Sequence, residues 1–345
     1  MNDLVDQIRR QMGAINFVSY SGGKDSTVVL QHVLAAIQGT DAKLYIVTSD
    51  TRMEIPYFQG YVDAVKGRIK AYIGQSGMNA ELVTVYPKLE HTFWVSVLGM
   101  GYPAAHMGFR WCTGRLKIDP ITRFTNSVIK KSKDYMVFVG VRSAESELRA
   151  RIYQKKDYKA NHYAPILDWS AHDVWEYLLT ESCPWGDHTD LLNVYKYSSD
   201  ECVYGEAQGV CVGNARYGCW ACPLQKNSQL DMLGFHTGEV ERYRQLKHFK
   251  NHLVGMANRT ACRSRIRRNG SEGAGPFLVG YRRYLLQRLK RVEKATSWRL
   301  ITPEEIDCIK RHWRIDANIH NVPDQTQPLL WGAIKSGGEN GYRLS

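Results

Sequence analysis

The chain has 345 residues, 43% of them hydrophobic and 23% charged, the balance of a globular protein with one large core and one or two smaller ones. No window approaches about 18 consecutive apolar residues and the opening MNDLVDQIRR has no apolar signal segment, so a cytoplasmic location is expected and a membrane partner is not. Eight cysteines without such a signal speak against a disulfide framework. The net charge of +12 is concentrated: Glu241 to Leu300 holds 16 Lys/Arg against Glu241, Glu272 and Glu293, which suggests a polyanionic partner.

In chain order, the first informative stretch is Ile15 to Ser26. The apolar Ile15, Phe17 and Val18 read as a strand, Ser21-Gly22-Gly23 as a tight turn, and Val29, Leu30, Val33, Leu34 and Ile37 as the buried face of a helix. A strand, an anion-sized turn and a helix N-terminus together form a phosphate site, to which Lys24 adds a charge and Ser21 and Ser26 add hydroxyls. The residues do not spell a Walker A loop. They read S-G-G-K-D-S, which resembles the PP-loop of the adenine-nucleotide α-hydrolase-like superfamily. That resemblance implies ATP, with magnesium, split between its α- and β-phosphates, with Lys24 and Asp25 as catalytic residues within the Ser21, Gly22, Gly23, Lys24, Asp25, Ser26 loop.

Lys43 to Asp50 reads as a second buried strand, Tyr57 to Gly74 as a helix and Glu81 to Tyr86 as a third strand, an alternation that argues for a doubly wound α/β domain with a parallel sheet. Ligands of such sheets sit beyond the carboxyl ends of strands, so Asp50 and Thr51 are expected beside the phosphate loop. Farther on, Arg110, Arg115 and Lys117 surround Cys112 in R-W-C-T-G-R-L-K. Cations lower a thiol's pKa, so Cys112 reads either as a thiolate able to carry or attack sulfur or as a cysteine packed beside Trp111. A strand from Asp134 to Val141 leads to Arg142, Glu145 and Arg149. The arginines are candidate phosphate ligands, and Glu145 either orients one of them or shares a magnesium ion; a surface ion-pair network is the competing reading. Ser170 and Asp173 form a capping box ahead of a helix.

Five motifs, S-G-G-K-D-S, D-T-x-x-E-I-P, R-W-C-T-x-R-L-K, G-x-R-x-x-E-S-x-x-R and P-I-L-D-W-S-x-x-D-V-W, stand in the order found in the PAPS reductase family. The chain is similar in particular to its DNA-modifying branch, the DndC/SspD-type phosphorothioation proteins, through T-F-W-V, G-x-G-Y-P-A and F-R-W-C-T. The resemblance covers residues 15–225.

Cys202, Cys211, Cys219 and Cys222 give C-x8-C-x7-C-x2-C. Four thiolates suit tetrahedral zinc or a [4Fe–4S] cluster, and the resemblance favours the cluster. Cys183, Cys262 and Cys308 have no partner at a useful spacing and read as structural. Beyond Phe235 the chain reads helical and basic, with helices over Glu239 to Leu253, Asn258 to Arg268 and Phe277 to Lys294, and a capped helix starting at Thr302-Pro303-Glu304-Glu305. No helix-turn-helix, zinc-finger or RNA-binding signature is visible.

The expected layout is a PP-loop ATP-binding α/β domain over residues 1–165, a helical and cysteine-bearing segment over 166–235, and a basic, mainly helical region over 236–345. The resemblance implies an ATP pyrophosphatase and sulfurtransferase acting on DNA, with a cysteine desulfurase as sulfur donor and other phosphorothioation subunits as partners. A PAPS reductase-like sulfur assimilation enzyme, a tRNA thiolase and a non-catalytic nucleotide-sensing DNA-binding subunit are the alternatives. The reductases usually carry a late cysteine in E-C-G-x-H, and here none follows Cys308.

Overall fold

A computed structural model describes residues 2–106, 109–130, 132–145, 161–196, 218–257 and 259–320. The chain divides into two compact units, one of Met1–Pro87 with Thr113–Cys219, the other of Lys88–Cys112 with Trp220–Ser345. No helix among the described residues is long and apolar enough to cross a membrane.

The first unit is an α/β domain around a five-stranded parallel sheet. After helix α1 (Asn2–Gln11), strand β1 (Ile15–Ser19) leads into α2 (Lys24–Ile37), β2 (Lys43–Ser49) into α3 (Pro56–Ser76), and β3 (Ala80–Val85) completes one side. On the other side lie β4 (Tyr135–Phe138), preceded by α4 (Asp119–Ile129), and the two-residue β5 (His162–Tyr163). The order is β3-β2-β1-β4-β5, with β1 central and paired in parallel to both β2 and β4. This is the doubly wound arrangement that strand–helix alternation implies, and it sets the turn after β1 between two neighbouring strand ends.

One face of the sheet is covered by aromatic and branched side chains. Phe17 stacks on Tyr45 with ring centroids 5.5 Å apart and meets Phe124 of α4 edge-on at 6.3 Å. Val47, Val85 and Val137 fill the same layer. Each fully buried side chain of this kind contributes about 1.5–3 kcal/mol. Helix α2 is buried along most of its length: Val28, Val29, Leu30 and Val33 have no exposed surface. Helix α5 (Ala171–Thr180) packs on α2. It starts in a complete capping box, with the Ser170 hydroxyl accepting from the Asp173 N–H at 3.1 Å and the Asp173 carboxylate accepting from the Ser170 N–H at 2.7 Å.

Between α5 and α2 runs a buried polar chain. Tyr177 donates its hydroxyl to Gln31 Oε1 at 3.1 Å, and Gln31 Nε2 lies 3.0 Å from His188 Nε2. An amide nitrogen can only donate, so His188 must accept and stay neutral. His32 Nδ1, 2.9 Å from the Val28 carbonyl, must carry a proton to meet an acceptor. Burial lowers the pKa of both histidines. The unfolded chain therefore takes up protons first as pH falls below about 6.5. Stability is complete above that value and is lost as pH falls, at up to about 1.4 kcal/mol per pH unit for each histidine. Denaturant unfolding at pH values from about 7.5 down to about 5, in a Glu54→Gln background because the raised Glu54 pKa acts in the opposite sense, should show this decline. A flat profile would contradict it, and His32→Gln should reduce the slope.

The second unit is mostly helical. It contains α7 (Asn227–Thr237), α8 (Val240–Met256), α9 (Val279–Thr296) and α10 (Pro303–His320), and its core includes Trp94, Trp220 and Phe249. The T-F-W-V segment leads into a π turn, Val95–Gly99. Its carbonyls are taken up by distant side chains: Leu98 O accepts from Trp313 Nε1 at 2.6 Å and Gly99 O from Arg282. Helix α10 opens in the expected capping box of Thr302 and Glu305. Of the helix expected over Asn258 to Arg268, none forms among the described residues 259–268 beyond one short turn. A single 3₁₀ turn, Thr260–Cys262, is followed by a loop whose backbone pairs with the returning segment, Gly273 N to Arg265 O at 2.8 Å and Arg267 N to Ser271 O at 2.8 Å. Those bonds take the place of helical ones.

Candidate functional site: a phosphate loop and a cysteine pair

In the first unit the Ser21–Ser26 loop lies between β1 and α2. Gly22 has φ +78°, and a Cβ there would meet Val62 Cγ2 at 2.7 Å, so only glycine fits the turn. The loop is bonded within itself. Ser26 Oγ donates to Gly23 O at 2.9 Å and accepts from Ser21 N at 3.2 Å, while the two serine hydroxyls lie 3.1 Å apart. Thr27 Oγ1 also donates to Gly23 O, at 3.0 Å. Tyr61 ties the loop to α3 through a bond to Gly22 O at 3.1 Å.

Three charged side chains meet at the start of α2. Arg142, 5% exposed, donates from Nε to Asp25 Oδ1 at 2.5 Å, and Lys24 Nζ, also 5% exposed, lies 3.5 Å from Asp25 Oδ2. Two cations with one carboxylate leave a net positive charge at a helix N-terminus, where the dipole adds to it. Such a group favours an anion and holds Lys24 and Arg142 in place before one arrives.

One contributor has no motif around it. Tyr195, on α6 (Thr189–Lys196), accepts the Lys24 N–H at 3.2 Å, and Lys24 Nζ stands 5.3 Å from the centre of its ring. A lone tyrosine on a short helix, 171 residues from Lys24, gives no spacing signal. Tyr61 was hidden for the same reason.

The strand ends carry the next residues. Asp50 accepts the Arg52 N–H at 2.7 Å, holding Arg52 at φ +60°. Thr51 is fully buried. Its hydroxyl donates to Glu54 Oε1 at 2.7 Å and lies 3.7 Å from Cys219 Sγ, and Glu54 and Cys219 also form an isolated β-bridge. The D-T-x-x-E-I-P segment thus seats a cysteine of the C-x2-C pair. Burial raises the Glu54 pKa, with the positive charge of Lys117 opposing the rise.

Arg115 and Lys117 lie in a π turn, Gly114–Ile118. Pro120 has no N–H for the Leu116 carbonyl, which accepts instead from Ser49 Oγ at 3.0 Å. Arg110, exposed, and Cys112, half-buried, belong to the second unit. The R-W-C-T-G-R-L-K motif is therefore divided between the units, between Cys112 and Thr113. Glu145 ends a 3₁₀ turn, Ser143–Glu145; its side chain, Arg149, Cys202 and Cys211 lie outside the described residues.

Cys219 closes the first unit and Cys222 lies in the second. Near Cys222, Lys250 of α8 is 3% exposed and bonds to the Gln225 carbonyl. Burial lowers its pKa to about 8, and the nearby Cys222 thiol, as a thiolate, pulls it back up. No carboxylate forms an ion pair with Lys250 among the described residues. A buried ammonium needs a counter-charge, and Cys222 as a thiolate, the form in which a cysteine holds a metal or cluster, would supply one to Lys250. Changing Cys219 or Cys222 to serine is expected to abolish metal content. Loss of an absorption band at about 400 nm together with iron marks a [4Fe–4S] cluster, and loss of zinc without a band marks a tetrahedral site. Full metal content in both variants would remove the pair from the centre.

Cys183, Cys262 and Cys308 are buried, and burial pushes their thiol pKa values up, to about 11 for Cys183 and about 12 for Cys262. Such thiols are unreactive.

Residues 15–187, just over half of the chain, match the family profile described as the phosphoadenosine phosphosulfate reductase domain. Two uncharacterised proteins of Methanocaldococcus jannaschii are similar over 63% of this chain, one 29% identical over 220 residues and the other 30% identical over 221. The matched regions are 38% and 43% of those proteins, so the chain spans about two fifths of the length of the curated relatives it matches. Among solved structures, a phosphoadenylyl-sulfate reductase from Candida auris in a phosphate complex is similar over 48% of this chain and 71% of its own, at 14% identity and TM-score 0.30. A U34-tRNA thiolase from Methanococcus maripaludis, solved with its [4Fe-4S] cluster, is similar over 74% of this chain and 79% of its own, at 11% identity and TM-score 0.31.

Proposed function

This chain belongs to the phosphoadenosine phosphosulfate reductase domain family, and from that footing we propose that it is an ATP pyrophosphatase and sulfurtransferase of DNA phosphorothioation. The observation that carries the reading is the buried Lys24–Asp25–Arg142 group at the start of α2. Its net positive charge at a helix N-terminus suits the β- and γ-phosphates of ATP and would stabilise the pyrophosphate as a leaving group. DNA as the acceptor is supported by the motif resemblance and by arginines of the second unit that remain at the surface.

In this scheme a non-bridging oxygen of a DNA phosphodiester attacks the α-phosphorus of ATP. The bond to the β-phosphate oxygen breaks, pyrophosphate leaves, and the DNA phosphate carries an adenylyl group. A persulfide then attacks the DNA phosphorus through its terminal sulfur and expels AMP, which takes the original oxygen. A thiol finally reduces the remaining S–S bond to leave the phosphorothioate. Ser21 to Ser26 would cradle the pyrophosphate and Lys24 neutralise it. Asp50 and Thr51 would border the nucleoside, and Arg110, Arg115, Lys117 and Arg149 would hold phosphates. Glu145 is the candidate residue to hold magnesium, which would supply neutralising charge to the triphosphate when bound. Cys112 remains the candidate persulfide carrier. Cys202, Cys211, Cys219 and Cys222 would hold an iron–sulfur centre, which supplies sulfur or electron chemistry when bound.

Mass spectrometry of nuclease-digested DNA from cells with and without the protein tests this reading. Phosphorothioate dinucleotides should disappear without it. Their unchanged persistence would remove the proposal, and loss of thiolated tRNA nucleosides instead would move the acceptor to RNA.

A further inference from the structure

The second unit carries a ladder of aromatic rings that the proposed chemistry does not use. Phe93 stacks on Trp111 at 5.6 Å and 26°, and Trp111 on Tyr102 at 5.3 Å and 21°. Tyr102 meets Phe109 at 6.1 Å, and Phe109 meets His106 at 6.1 Å. The ladder runs from buried to exposed: Phe93 is 5% exposed, Trp111 and Tyr102 are half-buried, and Phe109 is 39% exposed. His106 and Arg110, beside its open end, are exposed as well.

The backbone beneath the ladder is held firmly. The carbonyls of Gly99, Met100 and Gly101 accept from Arg282, from Arg268 and from the Phe277 N–H respectively, the last at 2.7 Å. Tyr102 N donates to Ser96 O at 3.0 Å, and Trp111 Nε1 to Pro103 O at 3.1 Å. Gly101, at φ +79°, lies so close to Phe277 that a Cβ would meet its backbone at 2.9 Å. Such bracing gives a rigid aromatic surface, which loses little entropy when something stacks on it.

The same bonds bring in a basic loop. Arg268 and Phe277 belong to the 263–277 loop, whose Arg265 and Arg267 are exposed and form no ion pair with a carboxylate among the described residues. Many other cations of the basic stretch are occupied. Arg263 bonds to the carbonyls of Ala257, Ala274 and Gly275, Arg282 pairs with Asp316 at 2.6 Å, and Lys247 pairs with Asp231 at 2.5 Å. The cations left at the surface include Arg265 and Arg267 of the loop that Arg268 and Phe277 tie to the backbone beneath the ladder.

We propose that this surface is a stacking platform for an unstacked base of a nucleic-acid strand, with Phe109 and Tyr102 meeting the base and Arg110, Arg265 and Arg267 its flanking phosphates. Aromatic faces accept any base and arginines follow the backbone, which is how strands are held without sequence readout. A duplex keeps its bases stacked and hides these faces, so the platform prefers a single or locally opened strand. The inference deepens the reading of DNA as acceptor and rests on it only for the choice of DNA.

Fluorescence anisotropy of the full chain tests it with a labelled single-stranded DNA, the same sequence as duplex, and the same sequence as RNA. Phe109→Ala should weaken single-strand binding about tenfold or more while leaving duplex binding and thermal unfolding nearly unchanged, and Phe109→Trp should restore it. Arg265→Ala with Arg267→Ala should weaken every probe and reduce the salt slope by about two. If the arginine pair matters and Phe109→Ala does not, the platform is wrong while DNA binding stands. Tighter binding of RNA keeps the platform and overturns DNA as the acceptor. No binding of any probe by the native chain overturns both, and displacement of the probes by an acidic protein at equal concentration overturns the platform in favour of a protein interface.

Discussion

Alanine in place of Lys24 should reduce pyrophosphate release from ATP about 100- to 1,000-fold, the usual loss when one preorganised charge or donor at a developing negative centre is removed. The effect should fall on kcat more than on KM, because the charge on the pyrophosphate oxygen grows as the α/β bond breaks. The fold should survive, since Lys24 shares Asp25 with Arg142 and the shorter side chain leaves that pair intact. The measurement is pyrophosphate release by purified protein under reducing, anaerobic conditions, with a DNA strand present. Release that is absent from the native protein too would sink the enzymatic reading, and equal release from both would remove Lys24 from the site.

The second large effect is on stability. Asp25→Ala should destabilise the protein by about 3–5 kcal/mol, the cost of leaving a buried cation without its partner. Arg142 is almost wholly enclosed, and its Nε bond to Asp25 is 2.5 Å long. Helix α2 begins at that point, so the loss should appear as a lower denaturant midpoint. Adding Arg142→Leu to Asp25→Ala should recover part of the loss, because one of the two cations that share Asp25 is then gone while Lys24 stays; the two changes are far from additive. Additive losses in the double variant would mean that the pair is not the source of the effect.

Local signals were readable and distant ones were not. The apolar runs of β1 and β2 and their alternation with helices announce a parallel sheet. Ser170 with Asp173, and Thr302 with Glu305, announce helix starts because a capping box needs only four consecutive residues. Strand β5 is two residues long, too short to show any period, and β4 stops at Phe138 rather than Val141. The π turns depend on carbonyls being taken up by Ser49, Trp313 and Arg282, far away in the chain. Charge counting in the last third treats every arginine alike, yet Arg282 and Arg263 are largely structural while Arg265 and Arg267 face solvent. At the candidate site, S-G-G-K-D-S marks the loop, whereas Tyr195 and Tyr61 became visible only in three dimensions.

Tyr195 also bears on how the loop would choose between ligands. Its hydroxyl already satisfies the first N–H of α2, so a newcomer at that N–H must evict a neutral oxygen rather than fill a gap. For an uncharged ligand the trade is nearly even, one hydrogen bond for another. For an anion it is lopsided, because the incoming oxygen also meets the helix dipole and the net charge of Lys24, Asp25 and Arg142. If the loop takes phosphate as proposed, the tyrosine would favour a phosphate over water or a sugar at that N–H. Discrimination of this kind comes from the resident side chain, and removing its hydroxyl would blunt selectivity before it cost affinity.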